Sequence, residues 1–128
     1  MNLSATTLQR LIAVPFITLG GWALVAPQSV LDLAVRPEMQ VTGPLAPLLM
    51  GCFGAQAVLC SIFILTSHFT RYSFAAYGVA LLPFFWFNYH FYFVQPVINA
   101  VMAVDFIGNV IMLILCILGW KAAVAEGR

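Results

Sequence analysis

The sequence predicts an all-α integral membrane protein, a four-helix up-down bundle with cytoplasmic termini and a short interfacial helix in its first loop. Three observations carry that expectation. Hydrophobic residues make up 63% of the 128 positions and charged residues 7%, against ~45–50% and ~25% in an ordinary soluble domain. Four stretches, 8–26, 45–66, 73–94 and 97–120, each supply the ~20 largely apolar residues that a membrane helix needs. The basic residues flanking those stretches also gather on one side. A mean hydropathy of +1.03 agrees that lipid is the solvent for most of the chain. The spans leave too little chain for a soluble domain, so residues 1–128 read as a single transmembrane domain. A net charge of +1 without a basic cluster excludes nucleic acid as a partner.

Span 8–26 is read as a retained helix, not a cleaved signal peptide. Leu24 would be a poor residue at −3, and Pro27 would follow the scissile bond. The loop that follows contains Ser29-Val30-Leu31-Asp32, a capping-box-like start with Asp32 in the first turn. Val30, Leu31, Leu33, Ala34 and Val35 then read as a short helix in the interface, stopped by Pro37. Spans 45–66 and 73–94 are joined by a polar turn at 67–72. Spans 73–94 and 97–120 are joined by little more than Gln95-Pro96, so they should form a tight hairpin with Pro96 opening the last helix.

Orientation follows from the basic residues near the span ends. Arg10, Arg71, Lys121 and Arg128 fall on the side of the termini, and Arg36 alone falls on the other. Both termini and the second loop are therefore expected in the cytoplasm. A bacterial inner membrane and a eukaryotic endomembrane suit this pattern equally. Cys52, Cys60 and Cys116 all lie within spans and read as small packing residues rather than a disulfide framework.

Apart from Arg10 at the edge of the first span, Asp105 is the only formally charged residue expected inside a span. It lies about eight residues from the outer end of the last one, or ~12 Å deep at 1.5 Å per residue. A central Asp costs ~2.5–3.5 kcal/mol to insert, so it should face the bundle interior and find partners. Asn109 follows four residues later on the same face. Ile98, Met102, Met112 and Cys116 continue that face as an apolar stripe. Depth arithmetic brings Gln56, Thr18, Asn88 and His90 to the same level, which predicts a polar layer.

Two readings of that layer stand side by side. Asp105 can be an interhelical hydrogen-bond hub. It can also serve as an acid, or as the contact for the polar head of a lipid-like ligand. His90 could exchange a proton with Asp105, or be a hydrogen-bonded packing residue. His68 lies at the opposite end of span 73–94 from His90, and no His/Cys spacing suggests zinc, so neither metal nor haem is expected.

Residues 84–93 read FFWFNYHFYF, with eight aromatics in ten positions. An interfacial belt accounts for Tyr89, Tyr92 and Trp86, whereas five Phe along ~15 Å of helix go beyond one. The face made by Pro83, Trp86, Phe87 and His90 follows the i, i+3, i+4, i+7 pattern. It is expected to turn towards the polar layer, where it could stack on a sterol, quinone or carotenoid, or stabilise a cation. Packing alone is the competing explanation.

Gly20-Gly21-Trp22…Pro27, Gly51-Cys52-Phe53-Gly54-Ala55-Gln56 and Asp105…Gly108-Asn109 together resemble the small DoxX-like four-helix membrane proteins. That resemblance covers most of the chain in layout. It implies an up-down bundle with cytoplasmic termini and, in some members, association with respiratory or redox partners. No catalytic residue carries over from it. The expected function is binding of a lipid-, sterol- or quinone-like molecule by Trp86, Phe87, Asn88, His90, Asp105, Asn109 and Gln56, or service as an accessory subunit. Expected partners are the bilayer, a hydrophobic small molecule, and a membrane protein or second copy (a homo-oligomer). The alternative is an intramembrane isomerase or cyclase with Asp105 as general acid and His90 as its proton partner.

Overall fold

The structure, a computed structural model, describes residues 3–128. These form five α-helices and no strand: α1 (Ala5–Val25), α2 (Pro27–Ala34), α3 (Leu45–Thr66), α4 (Arg71–Tyr89) and α5 (Ala103–Ala125). Three helical stretches are long and apolar enough to cross a membrane: α1, α3, and α5 together with the 3-10 turn before it, Ala100–Ala125. At 21 residues, α1 alone spans about 30 Å, the thickness of a hydrocarbon core. By contrast, α4 is not among them: Arg71, three tyrosines, Trp86 and Asn88 dilute its hydropathy. Val79, Phe63 and Ile107 are 66%, 62% and 56% exposed, so the outer surface is as apolar as the interior.

Local sequence accounts for most helix starts. Ser4 caps α1 by accepting the Thr7 amide at 3.2 Å. Thr70 and Ser73 form a reciprocal capping box at α4. Pro27 opens α2 at its first position, where no amide is needed. The start expected at Ser29 is therefore two residues late. Ser29 Oγ instead accepts from Trp22 Nε1 and donates to the Ala26 carbonyl, both at 2.8 Å, while Asp32 is engaged by Gln28 Nε2.

The expected hairpin at Gln95-Pro96 also differs. Beyond Tyr89 the chain widens into a π segment, His90–Val94, with the Gln95 amide donating to the His90 carbonyl at 2.8 Å. Pro96 opens no helix, and the next helical turn starts only at Ala100. The stretch between is extended because its hydrogen bonds run across to the end of α2. Val35 and Ile98 form an antiparallel bridge. The Arg36 amide donates to Val97 O, and the Asn99 amide to Ala34 O, each at 2.9 Å. Arg36 Nε reaches Ile98 O at 3.0 Å, and Asn99 Nδ2 reaches Leu33 O at 2.6 Å. This clasp ties the first loop to the α4–α5 connection.

Helix α1 packs on both α3 and α5, α5 also packs on α4, and α2 lies against α3 and α1. Close approach of α1 and α3 depends on small residues. A Cβ at Gly20 would lie 2.5 Å from Ala57 Cβ, and one at Gly54 would collide with the backbone of Ala23 and Leu24. No comparable packing joins α3 to α4. That missing pairing positions the site.

Candidate functional site

A cavity of about 520 Å³ occupies the space that α3 and α4 leave open, within the range of sites for small hydrophobic molecules. Leu19, Trp22 and Ala23 of α1 form one wall, and Met50 and Phe53 of α3 another. Phe84, Phe87, Asn88 and Phe91 line it from α4 and the π segment. Val35 and Ile98, the bridged pair of the clasp, close its loop end. Among the described residues, Asp105 and Asn88 are its only polar lining residues apart from the indole of Trp22. A second cavity of about 200 Å³ shares Leu19, Phe53, Phe84 and Asp105 with the first, and adds Gln56, Cys60 and Asn109. Asp105 thus stands where the two cavities meet.

The carboxylate is held by two amides. Asp105 Oδ2 accepts from Asn88 Nδ2 at 2.9 Å and from Asn109 Nδ2 at 3.0 Å. Asn88 Nδ2 also donates to the Phe84 carbonyl at 2.9 Å. The Asn109 bond follows from i, i+4 spacing on one helix; the Asn88 bond joins α4 to α5 and sets their relative rotation. Because the last helix begins at Ala100 and not at Pro96, Asp105 sits in the first turn of α5. There the helix dipole favours a negative side chain, typically by 0.3–1 kcal/mol. The acid occupies the first turn of its helix rather than the position about eight residues in that counting from residue 97 suggested.

The structure brings together Asn88, Asp105 and Asn109, with Gln56 facing the same smaller cavity. Thr18 does not join them. It is exposed, and its hydroxyl donates back to the Val14 carbonyl at 2.9 Å, so it is satisfied within its own helix.

His90 is also elsewhere. It lines neither cavity and makes no hydrogen bond to Asp105; its ring stacks on Trp86 at 5.4 Å and meets Phe91 edge-on at 5.1 Å. Its Nδ1 is buried and unpartnered among the described residues. Trp86, 58% exposed, lies against Tyr89 and His90 on the outer side.

The inward face of α4 therefore corrects the expected one. Phe84, Phe87, Asn88 and Phe91 turn inward in place of Pro83, Trp86, Phe87 and His90, and only Phe87 belongs to both sets. The Asn88–Asp105 bond determines this rotation, and Phe84 and Phe91 lie four residues before and three after Asn88, on its face. Asn88 is the one side-chain amide in the aromatic run, so centring the face on it is the signal that would have found the arrangement. Phe85 instead packs edge-on against Phe106 at 5.7 Å, outside the cavity.

Sequence reasoning missed the contacts of Gln9, Glu126 and Arg128, which act at the opposite end. Gln9 is buried; its Nε2 donates to the Ile64 carbonyl and, at 2.8 Å, to that of Ser67, while its Oε1 accepts from the Phe69 amide at 3.1 Å. Glu126 Oε1 accepts from the Ala5 amide at 2.9 Å and its other oxygen pairs with Arg128 at 3.1 Å. Both chain ends are thereby joined.

Comparison with known proteins gives no relative from which to read this site: no family model, no curated protein and no solved structure matches the chain.

Proposed function

We propose that the chain is a multi-pass membrane protein that holds a hydrophobic molecule between its helices, with the polar head of that molecule at Asp105. One observation supports this reading above the others: an apolar, aromatic-walled cavity of about 520 Å³ whose polar floor is the Asn88–Asp105 pair. An acid placed only for helix–helix adhesion needs no cavity beside it. The missing α3–α4 pairing leaves a side through which a lipid-soluble molecule can enter.

In this proposal α4 and its π segment make the fourth crossing, giving a four-helix bundle with both termini in the cytoplasm, as in the DoxX-like layout. The Ala5–Glu126 contact supports an even number of crossings, since it sets both termini at one end. The separation of His90 from Asp105 removes the proton partner that an isomerase or cyclase reading relied on, so binding is favoured over catalysis.

Native mass spectrometry of protein extracted in mild detergent, followed by solvent extraction, tests the reading. The expected result is a stoichiometric hydrophobic adduct. Bare protein from every membrane source and detergent tried, together with no saturable binding of added amphiphiles, would overturn it.

A further inference from the structure

The hydrogen-bond inventory of the cavity wall shows what kind of head group it can hold. Trp22 Nε1 spends its hydrogen on Ser29 Oγ at 2.8 Å. Asn88 Nδ2 spends both of its hydrogens, on the Phe84 carbonyl and on Asp105 Oδ2. The non-helical amides in the wall are engaged as well: Val35 with Leu31 O, Ile98 with Phe91 O, and Val101 with Asn99 Oδ1. What remains unengaged on these two polar lining side chains is Asp105 Oδ1 and Asn88 Oδ1, both acceptors. Every other lining side chain is hydrocarbon or thioether.

On the premise that the cavity is occupied as proposed above, we infer that its ligand carries a hydrogen-bond-donating head, a hydroxyl or a protonated amine, on an apolar body. A carbonyl head, as in a quinone or ketone, would meet two oxygen acceptors with no donor to answer it, and a buried acceptor left unpaired is costly. An ammonium adds a second match. Asp105 has no cationic side chain paired with it among the described residues, and Phe84, Phe87 and Phe91 line the cavity with rings whose quadrupoles attract a cation.

A matched set of probes tests this in the full-length protein in nanodiscs, with Trp86→Phe and Trp120→Phe leaving Trp22 as the reporter in the cavity wall. Dodecanol, dodecylamine and methyl decyl ketone share a chain length and differ in head group. Saturable change of Trp22 fluorescence should give the alcohol and the amine at least about tenfold tighter binding than the ketone, as for a hydrogen bond to a charged group. In Asp105→Asn, which can turn N–H groups towards the cavity, the preference should fall below about threefold. Ketone binding as tight as the alcohol in the unaltered site would overturn the donor inference while leaving the cavity reading intact. If no probe binds saturably, both fall.

Discussion

The two ends of this bundle are built from the same apolar alphabet and packed in opposite ways. At the end that carries the termini, Phe74 is fully buried against Gly119, where even a Cβ would strike its ring. Ile12 and Ile64 are buried beside it, Gln9 is bonded to three backbone groups, and Glu126 joins the last helix to the first. At the other end, Phe84, Phe87 and Phe91 stand around an open volume, and a single bond to one carboxylate joins α4 to α5. Glycine opposite phenylalanine fills space; phenylalanine opposite leucine and methionine, with α3 and α4 apart, leaves it. One end is a lock and the other is the proposed site.

The broadest prediction of the proposed topology is that the two ends face opposite sides of the membrane. In a cysteine-free background, a Cys at Met39 should label from the non-cytoplasmic side of intact cells and a Cys at Ser67 should not. Labelling at Ser67 from that side would invert the topology. Among energetic effects the largest belongs to the lock. Phe74→Ala should cost about 3–5 kcal/mol in a reversible unfolding assay, the usual toll of emptying a fully buried aromatic position. Gln9→Leu should cost about 1–3 kcal/mol, because the backbone groups of Ile64, Ser67 and Phe69 lose their partner. A smaller loss in either would mean that this end is looser than its packing implies.

At the site, Asp105→Asn should change stability by no more than about 1 kcal/mol, since interhelical hydrogen bonds average ~0.6 kcal/mol in membranes. A loss as large as that of Phe74→Ala would make Asp105 a structural hub and erase the contrast between the ends.

The legibility of these features in the sequence follows the range of the interactions that make them. Asp105 and Asn109 are four residues apart, so their pairing could be read from helical spacing. Asn88 could be assigned to the same level by counting along two neighbouring spans. The all-helical architecture and three apolar spans follow from composition. What could not be read depends on partners far apart in the chain: Gln9 on the loop after α3, Ala5 on Glu126, and α2 on residues 97–99. The rotation of α4 was misplaced because periodicity identifies a set of faces without saying which is inward. One cross-helix bond, Asn88 to Asp105, makes that choice. Asp105 lies nearer its helix start than counting from Pro96 gave, because the backbone at residues 97–99 is engaged by the end of α2.

The rotation of α4 offers the most direct measurement. Dodecanol-induced stabilisation against thermal unfolding, in matched detergent, should be compared among the wild type, Phe87→Ala and Trp86→Ala. Losing a ring from the cavity wall should cost on the order of 1–3 kcal/mol of binding, roughly 5- to 150-fold in affinity. The shift should therefore largely vanish in Phe87→Ala and persist in Trp86→Ala, whose ring faces outward against His90. Loss in Trp86→Ala with retention in Phe87→Ala would put the ligand on the other face of α4 and contradict the site described here.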